Sequence, residues 1–262
     1  MAAHLSPGTG SLFDAPTDGP GDHHAHVFAA NVAGTPNPRY VPDYDATVAE
    51  YFAQLDMHGL SWGTLVQPSF LGTDNSMLLA ALADHPDRLR GVAVLDGEDP
   101  RRTCPDIADW HSRGVRGVRL NLLGSTGPDL SRPAWQTFLD DMAAHGWHLE
   151  LQIPPEAWAT WVPILADLPC RVVIDHLGLP ESVDAVPGHP LLALAVLPHV
   201  WVKASGSYRC GPGAARAMYE ALRSAGTDRL VPGSDRPHTR FEGRATGAWE
   251  FFGAGEFFDA GE

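Results

Sequence analysis

The sequence predicts a (β/α)8 barrel, a parallel TIM barrel whose eighth helix is truncated or missing. Two observations carry this prediction. Eight short apolar runs recur along the 262 residues, with helical spacings between them. Polar residues also gather at the C-terminal ends of those runs, where such barrels keep their chemistry. A doubly wound open sheet is the alternative, but it normally offers fewer strands.

In chain order, residues 1–20 are rich in Gly, Pro, Ser and Asp and read as a flexible arm. They lack the basic start and apolar stretch of a signal peptide. Residues 21–262 read as a single barrel domain. The strands are expected at "DHHAHVF" (22–28), "WGTLVQPS" (62–69), "LRGVAVLD" (89–96), "GVRGVRLNLL" (114–123), "WHLELQI" (147–153), "RVVIDHLG" (171–178), "VWVKASG" (200–206) and "RLVPGSD" (229–235). Seven helices should separate them. Val48, Phe52 and Leu55 share one apolar face, as do Leu78, Leu79 and Leu82. Trp135, Phe138, Leu139 and Met142 follow i, i+3, i+4, i+7, and Ala214, Met218 and Leu222 make another stripe. Residues 156–168 and 189–197 are weaker helical segments. Gly59, Gly114, Gly146 and Gly226 stand where helices end and a left-handed residue is wanted.

Period-two alternation then assigns faces. In the first strand Asp22, His24 and His26 should point one way and His23 the other. In the fourth, Gly117, Arg119 and Asn121 should face inward, and in the fifth His148, Glu150 and Gln152. A closed barrel places Asp235, ending strand eight, beside His24 and His26.

Composition narrows the function. A formal net charge of −14 disfavours nucleic acid and anionic membrane as partners. The chain contains no apolar run of membrane-spanning length. Cys104, Cys170 and Cys210 are odd in number and lack metal-type spacing, which reads as reduced thiols in a cytoplasmic protein.

The rim of such a barrel would carry His24, His26, Ser69, Arg119, Asn121, Gln152, His176, Tyr208, Arg209, Asp235 and His238. Each has a plainer reading. Ser69 alone is as readily a helix cap, a single His in "DHLG" is more often structural, His23 packs outside the pocket, and His238 is a loop residue. Arg119 inside a barrel must be paired or must meet a solvated pocket, with Glu150 the obvious partner. Lys203 reads as one half of a structural ion pair. So many polar groups on one rim nonetheless point to chemistry.

The blocks "DHHAHVF", "LVQPSFLGTDNSMLLAAL", "RLRGVAVLD", "GVRGVRLNLLG", "VVIDHLG", "WVKASGSYR" and "GSDRPH", in this order, resemble the amidohydrolase-related barrels, and among them the 2-pyrone-4,6-dicarboxylate lactonase group. The similarity runs from about residue 20 to residue 240. It implies a hydrolase of small carboxylated lactones in aromatic catabolism. By that resemblance Asp235 is the general base that activates water, and His24, His26 and His176 polarise the carbonyl. Ser69, Arg119 and Arg209 hold substrate carboxylates, with Gln152 and Tyr208 beside them. Lactone opening needs an activated water and a stabilised oxyanion, and an acid group favours the Arg fork.

The sequence departs from the group in three places. Leu179 follows "DHLG" where Arg is frequent, "LLGSTG" after Asn121 has no Arg, and the tail "TRFEGRATGAWEFFGAGEFFDAGE" is short and Gly-rich. The carboxylate clamp is therefore expected to be weaker, or the substrate to carry fewer charges or a different acid group. Trp249, Phe251, Phe252, Phe257 and Phe258 are expected to cover the barrel's gap or to mediate homo-oligomer contacts. No cofactor is expected, because strand five offers Gln152, a poor zinc ligand. The alternative is a zinc-dependent hydrolase or nonoxidative decarboxylase, with His24, His26 and Asp235 as ligands and His176 a fourth. A barrel that binds a small acid without turnover is the third reading.

Overall fold

In a computed structural model that describes residues 12–35 and 38–242, eight parallel strands lie side by side in sequence order. They are β1 (Gly21–Ala25), β2 (Trp62–Val66), β3 (Leu89–Ala93), β4 (Val115–Asn121), β5 (His148–Gln152), β6 (Arg171–Ile174), β7 (Val200–Ala204) and β8 (Leu230–Pro232). The helices are α1 (Val48–Met57), α2 (Ser76–Asp84), α3 (Ile107–Ser112), α4 (Pro133–Ala144), α5 (Trp158–Ala166), α6 (Pro190–Leu194) and α7 (Ala214–Ser224). The sheet is a nearly closed (β/α)8 barrel. The segment beyond residue 242, with its aromatic residues and the eighth-helix question, lies outside the described residues, as does the arm up to residue 11. No described helix is long and apolar enough to cross a membrane.

Local chemistry explains the elements. Thr47 caps α1 in a full capping box with Glu50, so the helix starts where the apolar stripe begins. Trp135, Phe138, Leu139 and Met142 of α4 are all buried against the sheet. The short α3 carries no long stripe. It is set by Asp106, whose carboxylate accepts from the amides of Ala108 and Asp109, and by buried Ile107 and Trp110 one turn apart.

The ladders stop earlier than the apolar runs. After β2, β6 and β7 the chain enters single 3-10 turns at Ser69–Leu71, His176–Gly178 and Ser207–Arg209. Side chains beyond the ladder therefore turn over the barrel mouth.

Closure between β1 and β8 depends on a few contacts. Ala25 and Arg236 form a parallel bridge, the Asp235 amide donates to the His24 carbonyl at 2.8 Å, and the His26 amide to the Arg236 carbonyl at 2.7 Å. Buried Asp22 staples the seam. It accepts from the Ser234 amide and hydroxyl and from the Tyr51 hydroxyl of α1. Burial pushes the Asp22 carboxyl up to about 6 despite these donors. Gly233 is required by close approach, since a Cβ there would lie 2.8 Å from the His24 Cβ.

Two expectations are corrected. The alternation in "DHHAH" fails because the β1–β2 register shifts between Asp22 and Ala25. Asp22 faces α1 and the seam, while His23 turns to the barrel floor, its ring edge-on to Trp62 at 4.8 Å. The expected arm is also packed from residue 12 onward. Leu12 and Phe13 are buried with Trp62, Val173 and Val231, and the Phe13 ring stacks on His148. Asp14 pairs with Arg116 at 2.8 Å, so this segment plugs the N-terminal end of the barrel.

Candidate active site

The C-terminal mouth of the barrel holds a cleft of about 290 Å3. His26, Ser69, Arg119, Gln152, His176, Arg209 and Asp235 line it, so most residues expected at the rim meet there. Tyr208 and His238 sit behind Asp235 instead.

Asp235 is fully buried and held with positive φ at the turn after β8. Its Oδ2 is occupied, since the Arg209 Nε and the Tyr208 hydroxyl both donate to it, the latter at 2.7 Å. Among the described residues its Oδ1 has no hydrogen-bond partner. Three imidazoles face that oxygen: His26 Nε2 at 3.6 Å, His24 Nε2 at 3.7 Å and His176 Nε2 at 3.9 Å. Burial raises the Asp235 carboxyl, but Arg209 and the neighbouring His176 hold it well below the usual carboxylate range. It is ionised at neutral pH. The Tyr208 hydroxyl also lies 3.0 Å from His238 Nδ1, so Tyr208 orients the carboxylate.

The histidines are fixed from behind. His26 Nδ1 donates to the Val66 carbonyl at 2.7 Å, which leaves its Nε2 as an acceptor. His24 Nε2 lies 3.2 Å from that atom. At the other side of His24, Nδ1 meets Lys203 Nζ at 3.1 Å and Asp175 Oδ1 at 3.2 Å. With Lys203 donating to Nδ1, His24 carries its proton on Nε2 and donates to His26. With the proton on Nδ1 facing Asp175, Nε2 becomes a bare acceptor. Burial holds His24 well below its ordinary value, so the ring is neutral in both arrangements. His176 Nδ1 rests 2.9 Å from the Ser205 hydroxyl, and burial lowers this ring to about 4. A run of left-handed residues from His176 to Leu179 turns the His176 ring into the site.

Arg119 both lines the cleft and is paired beneath it. Its guanidinium donates to Asp175 Oδ2 at 3.0 Å and to Gln152 Oε1 at 3.0 Å, and lies 3.4 Å from Glu150 Oε1. Lys203 donates to Glu150 as well. The four form a buried ion lattice beneath the histidines. Burial and the adjacent Asp175 charge raise the Glu150 carboxyl, whereas His24, Lys203 and Arg119 keep Asp175 ionised against its burial.

The donor set fits a divalent cation. Imidazole nitrogens of His24, His26 and His176 converge on an unbonded carboxylate oxygen, and single ligand atoms of His24, His176 and Asp235 lie within 4.8 Å of one another.

Sequence reasoning left five contributors unassigned here: Asp175, Ser205, Arg39, Thr239 and Arg240. For Asp175 a signal existed. A charged residue inside the apolar run "VVIDHLG" must find a buried partner, and the inward Arg119, matched in the sequence with Glu150 alone, has donors enough for both carboxylates.

The family match spans residues 21–259 and is to the amidohydrolases. The chain belongs to the amidohydrolase family. This amidohydrolase is 31% identical over 239 residues to a 4-sulfomuconolactone hydrolase of Rhizobium radiobacter, covering 84% of this chain and 76% of the relative. It is 28% identical over 242 residues to a 2-pyrone-4,6-dicarboxylate hydrolase of Comamonas testosteroni, covering 83% and 76%. The crystal structure of a probable 2-pyrone-4,6-dicarboxylic acid hydrolase from Acinetobacter baumannii, solved with citric acid bound, superposes with a TM-score of 0.80. That structure is 35% identical and covers 88% of this amidohydrolase and 91% of the solved chain.

Proposed function

We propose that this amidohydrolase opens a small carboxylated lactone with a water activated by Asp235, and needs no metal to do so. One observation carries the reading: an ionised, buried carboxylate oxygen without a hydrogen bond faces three imidazoles on the floor of an arginine-lined cleft. The names of its relatives support the substrate class. In the reaction, water attacks the ester carbonyl carbon and Asp235 Oδ1 takes its proton. The carbonyl oxygen gains the negative charge and is held by imidazole N–H groups, first among them His24 Nε2–H as set by Lys203. The ring C–O bond then breaks, and the proton on Asp235 goes to the departing oxygen. Ser69 and Gln152 offer neutral contacts at the cleft wall. Arg119 and Arg209 set the local positive potential while staying bound to Asp175 and Asp235.

A divalent ion would be held by His24, His26 and Asp235, with His176 as a fourth ligand, and would supply Lewis acidity and a more acidic water. Charge supports the metal-free reading. Arg119, Lys203 and Arg209 already match Glu150, Asp175 and Asp235, so a further dication would stand uncompensated in a low-dielectric site. The raised Glu150 carboxyl tilts the balance further the same way.

The deciding experiment is a lactone panel assayed with and without chelator, alongside Asp235→Asn. Turnover should survive chelation. Asp235→Asn should lose roughly 100- to 10,000-fold in kcat, while ligand-induced melting shifts persist. Stoichiometric metal whose removal abolishes turnover would establish the zinc enzyme instead. Ligand stabilisation without turnover of any lactone would establish a binding protein.

A further inference from the structure

Among the described residues four arginines reach the cleft, and they are not equivalent. Arg119 and Arg209, deep in the site, are bound to Asp175 and Asp235. Arg39, on the loop between β1 and α1, and Arg240, after β8, stand at the mouth. Among the described residues neither has a carboxylate within salt-bridge reach. Among the described residues the Arg39 guanidinium makes one hydrogen bond, to a neutral oxygen, its Nη2 donating to Asn121 Oδ1 at 3.3 Å, which turns it toward the cleft.

The acid nearest to Arg240 in sequence is engaged elsewhere. The Glu242 carboxylate accepts from the Tyr44 hydroxyl at 2.6 Å, the Tyr40 hydroxyl at 3.0 Å and the Arg240 amide at 3.0 Å. This latch ties the β1–α1 loop to the segment after β8, and so sets Arg39 and Arg240 on the same side of the mouth. Burial lowers the Arg39 guanidinium, and the charges of Arg240, Arg119 and Arg209 lower it further. Like charges gathered without a counter-ion are a site that an anion stabilises.

We propose that Arg39 and Arg240 form an anion clamp at the cleft mouth that binds a second acid group of the substrate, remote from the ester that Asp235 attacks. The inference rests on the lactone-hydrolase reading for the chemistry, but the clamp itself is a binding site. Its ligand is a carboxylate or sulfonate oxyanion on a small ring, so the preferred substrate is a dianionic lactone. The two interior arginines cannot serve that group equally well, because each is already spent on a protein carboxylate. The clamp also supplies the charge that "LLGSTG" and Leu179 lack.

The test compares the wild type with Arg39→Met, Arg240→Met and the double variant, all at exposed positions that leave the core intact. On 2-pyrone-4,6-dicarboxylate the double variant should raise KM by about 10- to 100-fold. KM for a pyrone monocarboxylate should change far less, and kcat for the dicarboxylate should hold within a few-fold. An equal change for both lactones, or none, would overturn the clamp while leaving the hydrolase reading in place. A second arm needs no turnover. Isophthalate, an unreactive ring with the same spacing of acid groups, should raise the Tm of the wild type more than benzoate does. That advantage should vanish in the double variant, and its persistence would overturn the clamp even if no lactone is hydrolysed. Replacing isophthalate by 3-sulfobenzoate tells which oxyanion is preferred, and its extra shift must likewise vanish in the double variant.

Discussion

Lys203 and Asp175 both reach one ring nitrogen of His24. The Lys203 ammonium lies between Glu150 and His24 Nδ1, and where it donates to that nitrogen His24 carries its proton on Nε2. Replacement by Met would leave Arg119 as the one cation among the described residues within salt-bridge reach of Glu150 and Asp175. Lys203→Met should therefore lower stability by about 3–5 kcal/mol, measured by urea denaturation. A change below about 1 kcal/mol would show that the lattice contributes little. The sequence marked Lys203 as half of a structural ion pair but did not name its partner, because it matched Glu150 with Arg119; the structure gives Glu150 to both. Nor did the sequence make the His24 contact legible, since that depends on how closely β7 approaches a bulged β1.

Among elements, the seam between β1 and β8 is the weakest joint, because β8 is a three-residue ladder ending in Pro232. Side chains make up for the missing ladder bonds. Ser234 contributes both its amide and its hydroxyl to Asp22. Ser234→Ala should destabilise the fold by about 1–3 kcal/mol through the under-satisfied Asp22 carboxylate. Calorimetry would check it, and an unchanged Tm would mean that the Ser234 hydroxyl adds nothing to the seam. The plug at the other end behaves as an element too. Phe13→Ala removes a buried ring packed on His23, Trp62 and His148 and should cost about 3–5 kcal/mol. Composition alone marked this segment as an arm, because Gly, Pro and Ser dominate it and two apolar residues make no periodic pattern.

Across the whole molecule, buried histidines link stability to pH. Burial lowers His148 and His23 to about 3, below the ordinary value near 6.5. The unfolded chain then binds more protons than the native one between those values. Their contribution is fully present above about pH 6.5 and declines as pH falls through that value toward 3. At pH 5 each costs about 2 kcal/mol relative to pH 7. Asp22, raised to about 6, acts in the opposite sense, so the informative quantity is a difference between proteins. His148→Leu should lose about 2 kcal/mol less stability than its parent between pH 7 and pH 5. Identical pH slopes in denaturant titrations would remove His148 from the linkage.

The sequence by itself determined the barrel, the order of its strands, and the imidazoles and carboxylate that share its mouth. These follow from local alternation and from a topology that leaves β1 and β8 adjacent. The tertiary structure alone decided which charges are free. Arg119 and Arg209 look available in the chain but are bound to Asp175 and Asp235, while Arg39 and Arg240 lie in loops without periodicity and are set at the mouth by Tyr40, Tyr44 and Glu242. The reason is physical: backbone pattern is a short-range property, whereas the pairing of buried charges is settled only when distant segments meet in a medium that does not tolerate an unpaired ion.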